Sequence, residues 1–94
     1  MHAYVACFDI SDDAIRRSVS RRLEHFGQRV QRSVFEISVE SAQELEALRE
    51  ELLELILEEI EDDIRFYPLC RECRRKARDV RGRRVAAFPS AVIA

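Results

Sequence analysis

Asp9 closes the run Tyr4-Val5-Ala6-Cys7-Phe8 in the opening stretch HAYVACFDISDD. That run is apolar on both faces and rich in strand formers, the pattern of a strand covered on both sides. A carboxylate at the last position of such a central strand must be paired, hydrated or bound to a cation, because a lone buried charge is strongly disfavoured. Asp9 is therefore the first candidate for chemistry. The second is a set of guanidinium groups, Arg16, Arg17, Arg29 and Arg32, of a type suited to gripping phosphates. The third is Cys70-x-x-Cys73, whose spacing invites a metal or redox reading. A four-ligand zinc site needs two more donors, which only Cys7, a distant His or a second subunit can supply, so reduced structural thiols are the expectation. Neither His2 nor His25 has an acidic neighbour at triad spacing, and nucleophilic catalysis finds no support.

Composition narrows the partners of these groups. A chain of 94 residues that is 47% hydrophobic and 36% charged, with two Gly and two Pro, is one folded domain. Its core is small enough that completion by a second subunit is expected. Asp9 cuts the first apolar run and no basic segment precedes it, so neither a signal peptide nor a membrane span is expected, and a cytoplasmic protein with reduced cysteines is. The net charge of -2 conceals a segregation. Arg16, Arg17, Arg21, Arg22, Arg29 and Arg32 face only Glu24 in their stretch, and Arg71 to Arg84 is as basic, while the acids gather between Glu44 and Asp63. Such polarity presents a basic surface to phosphates within an acidic protein, and nucleic acid is the natural partner.

The elements that must position these groups follow from capping and periodicity. Ser11 reads as the N-cap of a first helix, with Ile15, Val19, Leu23 and Phe26 on its apolar face and Gly27 as its C′ residue. Gln28 to Val39 is strand-rich, and its alternation slips at Val34-Phe35, which predicts two short strands joined near Arg32-Ser33. Ser41-Ala42-Gln43-Glu44 is a capping box opening a second helix, with Leu45, Leu48, Leu52, Leu55, Ile56 and Ile60 inward and glutamates outward. Asp63 to Leu69 reads as a last strand. The order β-α-β-β-α-β predicts an α+β, ferredoxin-like sandwich, two helices on one face of an antiparallel sheet with the first strand central. Residues 1–94 form the single domain, with 77–94 as a C-terminal dimerisation tail in which Val85 to Phe88 is expected to add as an extra strand to the partner's sheet edge.

Several blocks together, Phe8-Asp9-Ile10-Ser11-Asp12-Asp13, RRxVxRRLExFG, RVQxSVFE from Arg29 to Glu36, and RFYPLCxxC from Arg65 to Cys73, resemble CRISPR-associated protein 2. The resemblance spans residues 4 to about 75 and implies ferredoxin-like homodimers that join a CRISPR-associated integrase in acquiring spacers, described as metal-dependent endonucleases on RNA or DNA. It implies that Asp9 is the metal-binding and catalytic aspartate, supported by Arg16, Arg29 and Phe35. Phe8 stands where many members have Tyr, and Ser18 where some have a second basic residue. One aspartate per chain is a poor Mg²⁺ site, but a two-fold axis near both first strands would let two Asp9 carboxylates share the ion. The rival expectation is a non-catalytic architectural subunit that holds double-stranded DNA and the integrase together.

Overall fold

The computed structural model describes residues 1–56 and 61–88. Its elements are β1 (His2–Asp9), α1 (Asp13–Glu24), β2 (Gly27–Gln31), β3 (Val34–Val39), α2 (Ala42–Ile56), β4 (Asp63–Leu69) and α3 (Arg71–Lys76). Together they form the expected ferredoxin-like α+β fold. One four-stranded sheet runs β2-β3-β1-β4 with every pairing antiparallel, so β1 is central as its apolar run requires. Ile60 and residues 89–94 lie outside the described residues.

Strand alternation sorts the sheet into two faces. Tyr4, Ala6 and Phe8 of β1, Phe35 and Ile37 of β3, and Ile64 and Phe66 of β4 meet Val19 and Leu23 of α1 and Leu48 and Leu52 of α2 in one core. Phe35, Leu23, Ile37, Leu48 and Leu52 are fully buried, each contributing about 1.5–3 kcal/mol by the area it removes from water. The opposite face carries Ala3, Val5, Cys7 and Asp9 beside Leu69, Tyr67, Arg65 and Asp63, and among the described residues no helix covers it. Leu55, expected in the helical stripe, stays 39% exposed, while Ile56 beside it packs against the core.

Local chemistry departs from expectation at three places. The N-cap of α1 is Asp12, whose carboxylate accepts from the Ile15 N–H at 2.9 Å, and not Ser11. Ser11 instead donates its N–H and its hydroxyl to Asp62 at 3.1 and 3.3 Å, tying the turn after β1 to the chain entering β4. Gly27 is not a left-handed C′ residue; it opens β2 against β3, where an added Cβ would lie 1.9 Å from the Glu36 carbonyl oxygen. Glycine is thus required by close backbone approach, although the position is exposed. The predicted capping box holds half its form: the Ser41 hydroxyl accepts from the Glu44 N–H, but the Glu44 carboxylate reaches the Glu40 N–H, one residue short of the cap.

The basic connection after β4 also carries structure that periodicity did not reveal. Six of its residues form α3, and the following turn is organised by Asp79, whose carboxylate accepts from the backbone N–H groups of Arg81 and Arg83 while Gly82 takes φ 83°. Arg78 and Arg84 then pair as an isolated antiparallel bridge. Val85 to Phe88, expected as a strand, forms none within the single chain. Ala86 and Phe88, both at positive φ, pack instead on Ala3, Leu69 and Ala77 of their own chain.

Candidate nucleic-acid and metal site

The four arginines singled out from the sequence converge. Arg16 and Arg17 of α1, Arg29 of β2 and Arg32 of the β2–β3 turn line one cavity of about 180 Å³, together with Phe8, Asp13, Ser20 and Ser33. Their placement follows from the fold: α1 packs over the sheet beside β2, so its first basic turn meets the basic edge strand. They are not equivalent. The Arg16 guanidinium is spent on structure, donating to the Ile10 and Ser11 carbonyls at 2.8 and 3.1 Å and pairing with Asp13. Arg29 lies over the Phe35 ring, 5.5 Å from its centroid, and Phe35 in turn stacks on Phe8 at 6.2 Å. Buried Phe35 thus presents its ring face to the Arg29 guanidinium from below. Among the described residues, Arg17, Arg29 and Arg32 have no carboxylate partner.

Asp9 sits at the same end of the sheet, on the other face. It ends β1 as expected but is exposed, with no hydrogen-bond or ion-pair partner for its carboxylate among the described residues. The structural role of ordering the turn into α1 belongs to Asp12 and Arg16. Asp9 lines a cavity of about 470 Å³ with Cys7, Phe8, Glu61, Asp63, Arg65 and Tyr67. Phe8 walls both this cavity and the arginine one.

Asp63, directly opposite Asp9 in the β1–β4 register, was not singled out from the sequence. Like charges so placed repel, and Arg65 relieves the repulsion by donating Nε to Asp63 at 3.0 Å and Nη1 to the Tyr67 hydroxyl at 3.2 Å. The signal that could have found it is the topology itself, since an antiparallel last strand beside the first must start where the first one ends. Among the described residues no three His, Cys, Asp or Glu side chains converge as a metal-binding group. The donor chemistry suits a hard cation, with Asp9 unengaged, but a single chain presents one free carboxylate there.

Glu36, on the same face, has its carboxyl pushed up by burial, opposed by a hydrogen bond from the Ala86 backbone. A raised native value means that the folded state binds its proton more tightly than the unfolded one. The resulting stability is present below the ordinary value of 4.5 and is lost as pH rises through the raised value. Replacing Glu36 by Gln is accordingly expected to raise the melting temperature at pH 7, with the gain vanishing in scans below the ordinary glutamate value.

The chain resembles known proteins over most of its length. The profile of the family described as "CRISPR associated protein Cas2" matches residues 1–77. A Synechocystis protein named CRISPR-associated endoribonuclease Cas2 3 is 44% identical over 69 residues, 73% of each chain. One from Chloroflexus aurantiacus, CRISPR-associated endoribonuclease Cas2 1, is 42% identical over 76% of this chain and 75% of its own. A chain of the solved structure described as a partial Cas6-RT-Cas1--Cas2 complex superposes with TM-score 0.83 at 33% identity, covering 94% of this chain and all of that one. With the family profile spanning its whole sheet and both principal helices, this chain belongs to the CRISPR associated protein Cas2 family.

Proposed function

We propose that this protein is a CRISPR adaptation subunit that works as a homodimer with the CRISPR-associated integrase, and that it cleaves phosphodiester bonds of RNA or DNA with Mg²⁺ held by Asp9. The observation that carries the proposal is the adjacency of two unlike cavities at one end of the sheet. Three arginines free of partners among the described residues line one, an unpaired carboxylate lines the other, and Phe8 lies between them. A polynucleotide backbone gripped by the arginines would run past the carboxylate. The names of the curated relatives, endoribonucleases, and the neighbour's complex with Cas1 support the reading.

The dimer supplies what one chain lacks. The sheet face that bears Asp9 also presents Val5, Cys7, Val34 and a 48% exposed Tyr67, apolar surface suited to a second copy of the same face. A two-fold axis there would bring Asp9 and the partner's Asp9 toward one ion. A divalent cation bound by them supplies Lewis-acid activation of the phosphate. The chain's own groups do the rest: Arg17, Arg29 and Arg32 hold flanking phosphates, Arg16 keeps the turn that presents Asp9 rigid, and Phe35 orients Arg29. Val85 to Phe88 would leave its own chain and extend along the partner's sheet edge, relieving the positive φ of Ala86 and Phe88.

A second reading, a non-catalytic architectural subunit, is favoured by the missing third ligand among the described residues. The Asp9→Asn variant separates the two. On the catalytic reading, cleavage of RNA and DNA substrates by purified protein in Mg²⁺ falls at least about 100-fold, with binding unchanged in a gel-shift assay. Undiminished cleavage by the variant sinks the metal site, while spacer acquisition that survives the change in cells points to the architectural role.

A further inference from the structure

The cysteine pair is left unused by the function above, and its geometry is specific. Cys70 lies just outside α3 with extended backbone (φ −70°, ψ 165°), and its Sγ accepts from the Cys73 N–H at 3.3 Å. The Cys70 sulfur is thereby already folded over the residue that carries the second thiol. Both thiols are exposed, whereas the third cysteine, Cys7, is half-buried on the sheet. Arg71, Arg74, Arg75 and Lys76 share the short helix with Cys73, and Glu72, between the two cysteines, is held by Arg75 and Lys76.

We propose that Cys70 and Cys73 are a reversible dithiol–disulfide couple that reacts with low-molecular-weight disulfides. Cys70 is the attacking group: hydrogen bonds from the Cys73 backbone and thiol hold it below the usual thiol range, while the same thiol–thiol hydrogen bond pushes Cys73 up. The Cys70 thiolate attacks one sulfur of the disulfide RS–SR, forming a Cys70–SR mixed disulfide and expelling RS⁻. Cys73 then loses its proton to solvent and attacks Cys70 Sγ, forming the Cys70–Cys73 bond and expelling the second RS⁻. The protein is oxidised by two electrons and the small disulfide is reduced to two thiols. The bond ties the end of β4 to the first turn of α3, the helix whose Arg74 lies 5.6 Å from the Phe88 ring centroid and so touches the C-terminal segment. The couple thus gives that segment's anchor two covalent states, independently of any nuclease activity.

The test uses the full reduced chain, incubated at neutral pH with oxidised glutathione, acid-quenched, alkylated with iodoacetamide and weighed intact. The expected species has lost two hydrogens and carries one alkyl group, on Cys7, in place of three. Three alkylated thiols, or a glutathione adduct that persists on the wild-type pair, would overturn the proposal. In Cys73→Ser a stable glutathione adduct should form on Cys70 at least about tenfold faster than on Cys73 in Cys70→Ser. Equal rates would remove Cys70 from the attacking role.

Discussion

Replacing Arg17, Arg29 and Arg32 together by alanine is expected to lower affinity for duplex DNA or single-stranded RNA about 100- to 1,000-fold at low salt, without a matching loss of stability. These groups line one cavity and have no carboxylate partner among the described residues, so on the proposed reading their removal takes away phosphate contacts and, within the chain, the Arg29–Phe35 stacking. Each lost contact should also flatten the dependence of log affinity on log salt by about 0.9 for duplex and about 0.7 for single strands. Fluorescence-anisotropy titrations at several salt concentrations read both quantities. The Arg16→Ala variant provides the contrast. Its guanidinium bonds two backbone carbonyls of the turn after β1, so it should lose melting temperature as well as affinity. A triple variant that binds with unaltered affinity and salt slope would show that nucleic acid uses another surface, such as the cavity lined by Arg71, Arg74, Arg75 and Arg84.

Phe35→Ala is expected to cost about 3–5 kcal/mol in urea denaturation, a large part of the 5–15 kcal/mol typical of a small domain. Phe35 has no solvent exposure, and its ring is shared by the core, by Phe8 and by Arg29. Truncation leaves a cavity under β1 and β3 against Phe8, the residue that walls both candidate cavities. The Phe35→Leu variant separates packing from support: it keeps most of the buried volume and should cost about 1.5 kcal/mol or less. It removes the ring face beneath Arg29, however, and so should weaken nucleic-acid binding by about 0.5–1 kcal/mol while leaving the Arg17 and Arg32 contributions intact. Full affinity in a stably folded Phe35→Leu protein would show that Arg29 needs no aromatic support.

The two faces of the sheet divide the work. The helix-covered face positions the arginines through packing, because α1 can lie over β3 and β2 only by burying Val19 and Leu23 against Phe35 and Ile37. The uncovered face positions Asp9 through strand register, which sets it beside Asp63. A free carboxylate flanked by a second one that Arg65 already satisfies is an arrangement that a hard cation can enter without displacing an ion pair.

Much of this was legible in residue order. The alternation of β1, the slip at Val34-Phe35 and the leucine stripe of α2 are local patterns with periods of two or 3.6 residues, and each directly encodes which side of an element is apolar. The order of elements then left few topologies, and Asp9 at the end of a central strand followed from it. Gly27 was misread because its requirement is a distant backbone carbonyl of β3, not its own helix end. Ser11 and Asp12 are adjacent and equally good caps by type; which one turns inward was decided by Asp62, 51 residues further on, which claims Ser11.

Residue order by itself determined the four strands and two principal helices, though not α3, together with the central place of β1, the segregation of charge, and Asp9 and the arginines as the groups to watch. Tertiary structure alone decided that Arg16 is held by the turn while Arg17, Arg29 and Arg32 stay available, that Asp63 faces Asp9, and that within one chain the segment from Val85 to Phe88 folds back on β1 and β4. The reason is physical: secondary structure answers to neighbours within a few residues, whereas the availability of a charge depends on which distant groups the packed chain brings within hydrogen-bonding reach.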